Sequence, residues 1–532
     1  MTRKVSKNTK KEELSLETVL WNCRVALRGY GSSEKNRDAV IGLVFLKFAG
    51  EKFEARRKEI LAEQPDIPLL MEMPASYNAK NVYYLKENAR WDYIVKNAAS
   101  NDIAVILDTA MKDIEEDNES LRGALPQNLY ATLGASSSKL KSLIDEINKI
   151  NKDRFHEDDL IGRVYEYFLQ IYAASGTKED GEFYTPASVV KLIAELIEPY
   201  DGVVYDPCCG SGGMFVQSMK FIDRHQGNRQ KVSIIGQESV PDTWKLCKMN
   251  LSIRGIAHDL GDRNASTFQN DLFKDRKVDY IMANPPFNLK NWRDEDELLD
   301  DPRFDGYPMP PVSNANYAWI LHMISKLDET DGIAGFLLAN GALNAGGDEG
   351  KIRKEILEKD LVEAIIVLPR DMFYTTDISV TLWIINKNKK AKLGNNRTLR
   401  NRQNEVLFMD LRTWDKNIET IQIDKGKKKR KVAFTDKDIK KVREIYQAWQ
   451  SEDAYYTDVA ELCKSATLDD IRKEDYSLAP SKYIDFIDHD LDIDYEKEMA
   501  RIQEEMRDVL KKEKESQKML EEAFRGIGYD LN

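Results

Sequence analysis

The sequence lacks the features that mark membrane and secreted proteins. It has five cysteines among 532 residues, and they are scattered without a CxxC pair. Neither a disulfide framework nor a metal site such as a zinc centre is therefore predicted. No apolar run is long enough to cross a bilayer, and no apolar core follows the basic N-terminus to form a secretory signal. These absences favour a protein of the reducing cytoplasm that does not bind a membrane.

A second absence is an overall positive charge. Acidic residues outnumber basic ones by 91 to 79, which gives a formal net charge of −12. A protein that holds nucleic acid on its own usually has a basic surface. If this chain acts on nucleic acid, either its basic residues are concentrated locally or a partner supplies most of the grip. Residues 387–402 and 425–431 are locally basic, and each segment could contact phosphates or form a solvated loop.

The chain is too long for one ordinary core, so two or three domains are expected. Residues 1–155 have the apolar spacing of helices and predict an N-terminal helical domain. Residues 156–435 predict a catalytic domain with strands. Residues 436–532 are charged and helix-prone, and we expect a C-terminal helical tail for contact with a partner.

Three helices are predicted outside the strand-rich region. Ser33–Glu63 has apolar residues at helical spacing, and Ser32 or Ser33 can cap its start. Asp158–Ala174 carries an apolar face of its own. Tyr495–Phe524 is typical of a long solvated helix.

The middle of the chain alternates near-continuous apolar runs with helical stretches. The predicted strands are Val203–Asp206, Val232–Glu238, Val278–Ala283, Ile333–Ala339, Ala364–Leu368 and Val380–Ile385. Helices are predicted at Pro186–Glu198, Gly213–His225 and Pro241–Arg254. Such an alternation predicts a doubly wound α/β sheet buried on both faces, with its ligand at the carboxyl ends of the strands.

The first predicted strand is followed by a glycine-rich turn, Asp206-Pro207-Cys208-Cys209-Gly210-Ser211-Gly212-Gly213. Glycine lets the backbone approach a ligand, and the helix that follows offers free N–H groups. The spacing is not the GxGxxG of dinucleotide sites. Asp206 at the strand end suits a cationic or hydroxyl-rich ligand better than a pyrophosphate. A purely structural turn is the alternative.

Glu238 ends the next predicted strand. An acid in that position can accept both hydroxyls of a ribose, as in nucleotide-binding α/β folds. A strand-end glutamate can also be merely solvated. Its place after a glycine-rich turn favours the ribose interpretation.

The most specific motif is Asn284-Pro285-Pro286-Phe287, directly after a predicted strand. The two prolines stiffen the turn. The side-chain carbonyl of Asn284 and a neighbouring backbone carbonyl can accept hydrogen bonds from an exocyclic amine, which raises the lone-pair density on its nitrogen. Phe287 offers a face on which a flipped base can stack. Positioning does this work without a strong base, because the proton can leave after transfer.

A fourth motif, Gly181-Glu182-Phe183-Tyr184-Thr185-Pro186, precedes the first helix of the middle domain. Thr185 is predicted as its N-cap and Pro186 as its first residue. A capped helix start explains this motif fully on local grounds.

The order of these four motifs resembles that of the amino-methyltransferases of restriction–modification systems, and more closely that of the modification (M) subunits of type I systems. Three further stretches fit the same family, namely Gly162–Tyr167, Asn314–Trp319 and Tyr476–Ser481. The resemblance covers about residues 12 to 490. It implies a Rossmann-like S-adenosylmethionine-dependent methyltransferase sheet and a site-specific N6-adenine DNA methyltransferase.

The resemblance also implies roles for individual residues. Glu182, Phe183, Tyr184, Thr185, Pro186 and Ala187 would line the S-adenosylmethionine site. Ser211, Gly212 and Gly213 would approach the methionine part, Glu238 the ribose and Asp271 the adenine of the cofactor. Asn284 to Phe287 would form the catalytic loop.

The implied partners are double-stranded DNA, a specificity (S) subunit that reads the target, and a restriction (R) subunit that is motor and nuclease, with two M subunits for each S subunit. Two features depart from the family pattern. Cys208 and Cys209 stand where alanine is common, and the acidic segment 294–301 directly follows the catalytic loop. Acid there would repel a phosphate backbone, and a mobile loop lying away from DNA is one interpretation.

Other functions stay open at this point. The same loop chemistry serves methylation of cytosine amino groups and of protein glutamine. The chain could also be a stand-alone enzyme or a catalytically silent scaffold. Nothing in the sequence indicates a hydride-acceptor site, so a nicotinamide dehydrogenase is a distant alternative.

Overall fold

The computed structural model describes residues 16–80, 82–151, 167–168, 185–373, 376–394, 397–424, 427–487 and 495–526. The predicted helix Asp158–Ala174 lies almost wholly outside these residues, and so do Glu182, Phe183 and Tyr184. None of the described helices is both long enough and apolar enough to span a membrane.

The helices and strands are numbered here in chain order. The α-helices are α1 (Leu16–Ala26), α2 (Ser33–Glu63), α3 (Pro74–Asn78), α4 (Trp91–Lys96), α5 (Ile103–Asp117), α6 (Leu129–Thr132), α7 (Ser137–Asn148), α8 (Ala187–Ile197), α9 (Gly213–Arg224), α10 (Pro241–Ile253), α11 (Asn316–Lys326), α12 (Gly347–Glu358), α13 (Asp436–Gln450), α14 (Leu468–Lys473) and α15 (Tyr495–Gly526). The strands are β1 (Gly202–Asp206), β2 (Val232–Gly236), β3 (His258–Asp259), β4 (Tyr280–Ala283), β5 (Ile333–Ala339), β6 (Val362–Val367), β7 (Val380–Asn386), β8 (Lys392–Leu393), β9 (Thr398–Leu399), β10 (Glu405–Asp410), β11 (Ile418–Asp424), β12 (Lys427–Val432) and β13 (Cys463–Thr467).

The N-terminal part is helical, as predicted. Helices α1 to α7 share one apolar core, to which α2 contributes Val40, Val44 and Phe45. Helix α2 spans Ser33–Glu63, and the Ser32 hydroxyl accepts from the Lys35 N–H at 3.3 Å, so Ser32 is its cap.

Nine strands of the described chain form one sheet in the order β13-β10-β6-β7-β5-β4-β1-β2-β3. All neighbours pair in parallel except those of β7 and β13. Each of the six predicted runs is a strand of this sheet. Buried residues on both faces form two cores, which confirms the predicted Rossmann-like α/β architecture.

The region after residue 387 holds more sheet than the sequence predicts. Strand β10 is parallel to β6, and β13 pairs with β10 as an antiparallel edge strand. An edge strand needs no continuous apolar run, and Cys463–Thr467 contains Lys464 and Ser465. Helix α13 docks on α8 through Arg443, whose Nη1 lies 2.7 Å from Glu195 Oε2. The first of two compact units comprises Met1–Asp458 and Leu462–Ile484, so the helical N-terminal part and the sheet belong to the same unit as α13 and β13.

A second compact unit is formed by Val459–Glu461 and Asp485–Asn532. Its described part is dominated by α15, which has no buried residue. This agrees with the long solvated helix that the sequence predicts.

The basic segment 387–402 is built into the catalytic unit. Lys389 and Arg402 are buried and pair with Asp360 at 2.5 Å and Glu363 at 3.0 Å, respectively. Four more cations of the segment, Lys387, Lys392, Arg397 and Arg400, pair with carboxylates. Lys390 is the one cation of the seven that is exposed without such a pair among the described residues. Most of the charge of this segment is therefore neutralised within the catalytic unit.

The described part of the second basic segment, residues 427–431, lies in β12, which pairs with β11. Lys431 is buried and its Nζ pairs with Asp377 at 2.8 Å.

The acidic segment 294–301 is tethered at both ends. Arg293 is buried and donates to the carbonyls of Asp294 and Glu295 at 2.8 Å. Arg303 pairs with Asp301 at 2.6 Å and donates to the Thr267 carbonyl at 2.8 Å. These bonds hold the segment to the body of the protein, in contrast to the expected mobile loop.

The buried pair Arg402–Glu363 predicts a large loss of stability on removal of one partner. Arg402→Met leaves the Glu363 carboxylate buried beside fewer donors, so we expect the free energy of unfolding to fall by about 3–5 kcal/mol. Lys390→Met, in the same segment but exposed, should change it by less than about 0.5 kcal/mol. Urea midpoints of the two variants check this. Similar midpoints would show that the segment is not integrated into the fold.

Candidate active site

Three of the predicted motifs lie at one edge of the sheet. Strands β4, β1 and β2 are direct neighbours and run parallel, with Asp206 opposite Gly236 and Tyr205 opposite Ile281. Their carboxyl ends lead into Asn284, the glycine-rich turn and Glu238. The parallel sheet therefore brings these groups together, as strand-end positions predict.

The glycine-rich turn has two different faces. Gly210 and Gly212 adopt positive φ angles of 52° and 83°. A Cβ on Gly212 would lie 2.9 Å from the Cys247 sulfur, so this glycine is needed for packing. A Cβ on Gly210 or Gly213 would meet nothing within 4 Å. The side of the turn at Gly212 is thus packed tightly against Cys247. The side at Gly210 and Gly213 faces open space at the N-terminus of α9.

The two strand-end acids are anchored by backbone N–H groups. Asp206 Oδ1 accepts from Cys208 N–H at 3.0 Å, and burial raises the pKa of Asp206 to about 7. Glu238 accepts from Gly210 N–H at 3.0 Å and from Val240 N–H at 2.8 Å, one on each carboxylate oxygen. Burial raises the pKa of Glu238, and these backbone donors oppose that rise. The Ser239 hydroxyl also donates to Oε1 at 3.3 Å, so Oε2 is the oxygen that keeps lone-pair capacity for one more donor.

The Asn284 amide is held by one end only. Its Nδ2 donates to Thr185 Oγ1 at 2.8 Å. Its Oδ1 is buried and has no hydrogen-bond partner among the described residues. A buried acceptor without a donor costs roughly 1–3 kcal/mol. An amine of a substrate that reaches this oxygen would supply the missing hydrogen bond.

An aromatic pair lies next to this amide. Phe287 meets the buried Phe373 with ring centroids 6.3 Å apart at an interplanar angle of 71°. Phe373 follows β6, whose carboxyl end is at the same edge of the sheet. The sequence analysis missed Phe373, although its place after a predicted strand could have indicated it.

The segment after Phe287 is pinned to the start of α11. Asn288 N–H donates to Asn316 Oδ1 at 3.0 Å, and Asn316 Nδ2 donates to Asn288 Oδ1 at 2.9 Å. Asn316 is buried, and Asn288 has a positive φ of 53°. Asn316 therefore fixes the exit of the turn that carries Asn284, a role that the sequence motifs do not indicate.

Of the first motif, the structure describes Thr185, Pro186 and Ala187. Helix α8 begins at Ala187, with Pro186 as the residue before it and no side-chain cap. The prediction of Thr185 as an N-cap is thus wrong, because its hydroxyl instead accepts from Asn284. This contact links the first and third motifs in space.

Asp271 has an internal partner. Its carboxylate lies 2.5 Å from the Nζ of the buried Lys326 and accepts from Phe273 N–H at 2.9 Å. Gln237 fixes the same segment by accepting from Leu272 N–H at 3.1 Å. Direct contact of Asp271 with a cofactor stays a prediction. Its ion pair with Lys326 indicates that Asp271 also stabilises the fold.

The thiols beside the turn are not activated. Burial raises the pKa of Cys208. Contact with Cys247, whose sulfur is 3.8 Å from that of Cys209, raises the pKa of Cys209 together with burial. Both thiols remain protonated, which leaves no nucleophilic cysteine in the turn.

Comparison with known protein families matches two regions of the chain. Residues 156–491 match the N-6 DNA methylase model, and residues 16–147 match the HsdM N-terminal domain. The chain is 40% identical over 439 residues to the type I restriction enzyme HindI methylase subunit of Haemophilus influenzae, covering 80% of this chain and 93% of that protein. It is 34% identical to the MjaIX methylase subunit of Methanocaldococcus jannaschii, covering 96% and 91%.

A solved structure shares the fold. The methyltransferase subunit of a type I restriction-modification system from Streptococcus thermophilus superimposes with a TM-score of 0.69 at 24% identity, covering 88% of this chain and 99% of that chain.

Two glycine variants test the difference between the packed and the open side of the turn. Gly212→Ala forces a side chain into the Cys247 sulfur at a positive φ, so we expect the free energy of unfolding to fall by roughly 1–3 kcal/mol. Gly213→Ala has open space and a helical position, so stability should be kept, while its methyl group narrows the space above the turn. Thermal unfolding of both variants checks this. Equal destabilisation by both would contradict the two-faced turn.

Proposed function

Since the chain belongs to the N-6 DNA methylase family and, within it, to the methylase subunits of type I restriction–modification systems, we propose that it uses S-adenosylmethionine to methylate adenine in double-stranded DNA at a target read by a specificity subunit. The family gives the enzyme class, an adenine-specific DNA methyltransferase. The cofactor, the residue roles and the partners are the proposal.

One observation carries the proposed chemistry, namely that Asn284 Oδ1 is buried without a hydrogen-bond partner in the part of the chain that the structure describes. The exocyclic amine of adenine is a weak nucleophile because its lone pair is delocalised into the ring. Accepting a hydrogen bond from that amine at Oδ1 draws the nitrogen towards a tetrahedral, more nucleophilic state. Thr185 fixes the amide so that oxygen, not nitrogen, faces the substrate. Pro285 and Pro286 limit the freedom of the turn that carries it.

The residues at the edge of β1 and β2 fit S-adenosylmethionine. The open space above Gly210 and Gly213 admits a ligand close to the backbone, and the N-terminus of α9 suits a carboxylate there. Glu238 would accept one ribose hydroxyl at Oε2 and the other at Oε1 in place of the Ser239 hydroxyl. When bound, S-adenosylmethionine supplies the methyl group on a positively charged sulfur.

The aromatic pair supports binding of a base turned out of the helix. Phe287 is partly exposed, and Phe373 holds its ring edge-on from behind. A fixed ring can stack with a flipped adenine at little further entropy cost. The Asn288–Asn316 pair keeps the loop in place while the base enters.

The charge distribution supports a dependence on partners. The chain has a net charge of −12, and the cations of residues 387–402 are largely paired internally. We therefore assign much of the affinity for DNA, and the recognition of the target sequence, to the specificity subunit. A restriction subunit would join for cleavage, and two copies of this chain would serve each specificity subunit.

Helix α15 is proposed as the partner-binding part of the tail. Tyr495, Met499, Ile502, Met506 and Val509 are spaced by four and three residues in turn, and each is at least 43% exposed. This is the heptad spacing of a coiled coil. Such a stripe is stable in water when a helix of the specificity subunit covers it.

The function is tested by sequencing N6-methyladenine in a methylation-free host. We expect methylation at a split target only when the specificity gene is expressed beside this chain. Asn284→Ala should abolish it while changing cofactor affinity by less than about twofold, whereas Glu238→Ala should weaken cofactor binding by about tenfold or more. Methylation by the chain alone would make it a stand-alone enzyme. Cofactor binding without methylation in any combination would favour a scaffold.

The tail is tested by placing charge in its apolar stripe. The double variant Ile502→Glu/Met506→Glu should no longer copurify with the specificity subunit and should lose methylation, because two carboxylates would be buried without partners. Glu504→Gln on the opposite face should behave like wild type. Cofactor binding by the variant chain should be unchanged, which separates lost assembly from lost folding. Retained copurification would refute the assignment.

A further inference from the structure

Helix α10 lies between the cofactor side of the catalytic unit and the N-terminal helices. It begins at Pro241, three residues after Glu238, and its two faces contact different parts of the protein. We propose that α10 couples the packing of the N-terminal helices to the affinity for the cofactor, with Asn250 as the positioning residue; this inference rests on the proposed function.

One face of α10 supports the glycine-rich turn. Asn250 is buried, and its Nδ2 donates to the Ser211 carbonyl at 2.7 Å. Arg254 in turn donates to the Asn250 side-chain oxygen, which fixes the orientation of the amide. Cys247 and Leu251 pack beneath Gly212 on the same face. A movement of α10 would therefore move the carbonyl of Ser211 and the backbone around it.

The other face of α10 belongs to the N-terminal core. Leu246 and Met249 are buried there among residues of α1 to α7. Ser252 Oγ donates to the Ser120 carbonyl at 2.8 Å. Residues 246, 249 and 252 are three apart and share one side of the helix, whereas 247, 250 and 251 share the next.

The contact between α10 and the N-terminal helices is interrupted by an open pocket. The pocket has a volume of about 170 Å³, and Ile41, Leu129, Leu246 and Met249 are among its lining residues. Because close packing resists displacement, this boundary permits small shifts of α10 more readily than the side packed beneath Gly212 does. Cofactor binding at the turn and packing of the N-terminal helices thus both affect the position of α10. The coupling free energy between them must be the same in both directions.

The test measures S-adenosylmethionine binding to the full chain by calorimetry. Asn250→Asp is nearly isosteric and keeps the acceptor for Arg254, but it loses the donor to Ser211. We expect its dissociation constant to rise about tenfold, with a smaller effect on the maximal rate once cofactor saturates. Ser252→Ala removes one exposed hydrogen bond on the other face and leaves the buried packing of Leu246 and Met249 intact, so it should change the constant by less than about twofold.

A second pair tests the coupling itself. Met249→Ala enlarges the pocket at α10 itself, and Leu143→Ala truncates a side chain of α7 in the same core. We expect Met249→Ala to raise the dissociation constant about threefold or more and Leu143→Ala to leave it unchanged, although both lower the melting temperature. In wild type, cofactor should slow hydrogen exchange in α2 beside Ile41, a readout that needs no variant.

Unchanged affinity in Asn250→Asp and Met249→Ala, with protection confined to the catalytic unit, would overturn the inference and leave the proposed function intact. A wild-type chain that binds no S-adenosylmethionine, alone or with its specificity subunit, would overturn both.

Discussion

The hydrogen bond from Asn284 Nδ2 to Thr185 Oγ1 is the interaction on which the rest of the site depends. An amide can present either its oxygen or its nitrogen, and only the oxygen can accept from an amine. By engaging the nitrogen, Thr185 decides which end remains available. The residues are 99 positions apart, so the turn after β4 and the start of α8 must both be correctly placed before the site has its chemical character.

The sequence predicts that the site lies at the carboxyl ends of β1, β2 and β4. It does not predict which side chains form hydrogen bonds with one another there. Apolar runs locate β1, β2 and β4, and a parallel sheet then brings the residues after them to one edge. Whether a hydroxyl caps its own helix or bonds a distant amide is decided by tertiary structure. Local rules therefore assign Thr185 to α8, while the fold gives it to Asn284. Asn316 and Phe373 were missed for the same reason, because their partners are remote in the chain.

The ion pairs of the basic segment 387–402 likewise depend on the fold and cannot be predicted from composition. A run of seven cations without an acid is typical of a phosphate-binding or solvated segment. Here its partners come from distant acids, as with Lys387 and Glu329, or Arg402 and Glu363. An edge strand such as β13 is likewise hidden from pattern analysis, since one of its long sides has no neighbour and tolerates polar residues. Burial on both faces made the central strands predictable.

The turn after β4 and the segment that follows it are held in a conformation that is unfavourable by itself. Asn284 Oδ1 is buried without a donor among the described residues, and Leu298 further along has a positive φ, which costs roughly 1–2 kcal/mol for such a residue. Such strain persists only where the surroundings fix it. Asn316 and Arg293 are buried and bond to this segment, and α11 beneath it is almost wholly buried. Asn284 Oδ1 is consequently fixed by the fold. Under the proposed function, this acceptor is in position before a base arrives, and such preorganisation favours the transition state over the ground state because the loop is ordered during folding and not during catalysis.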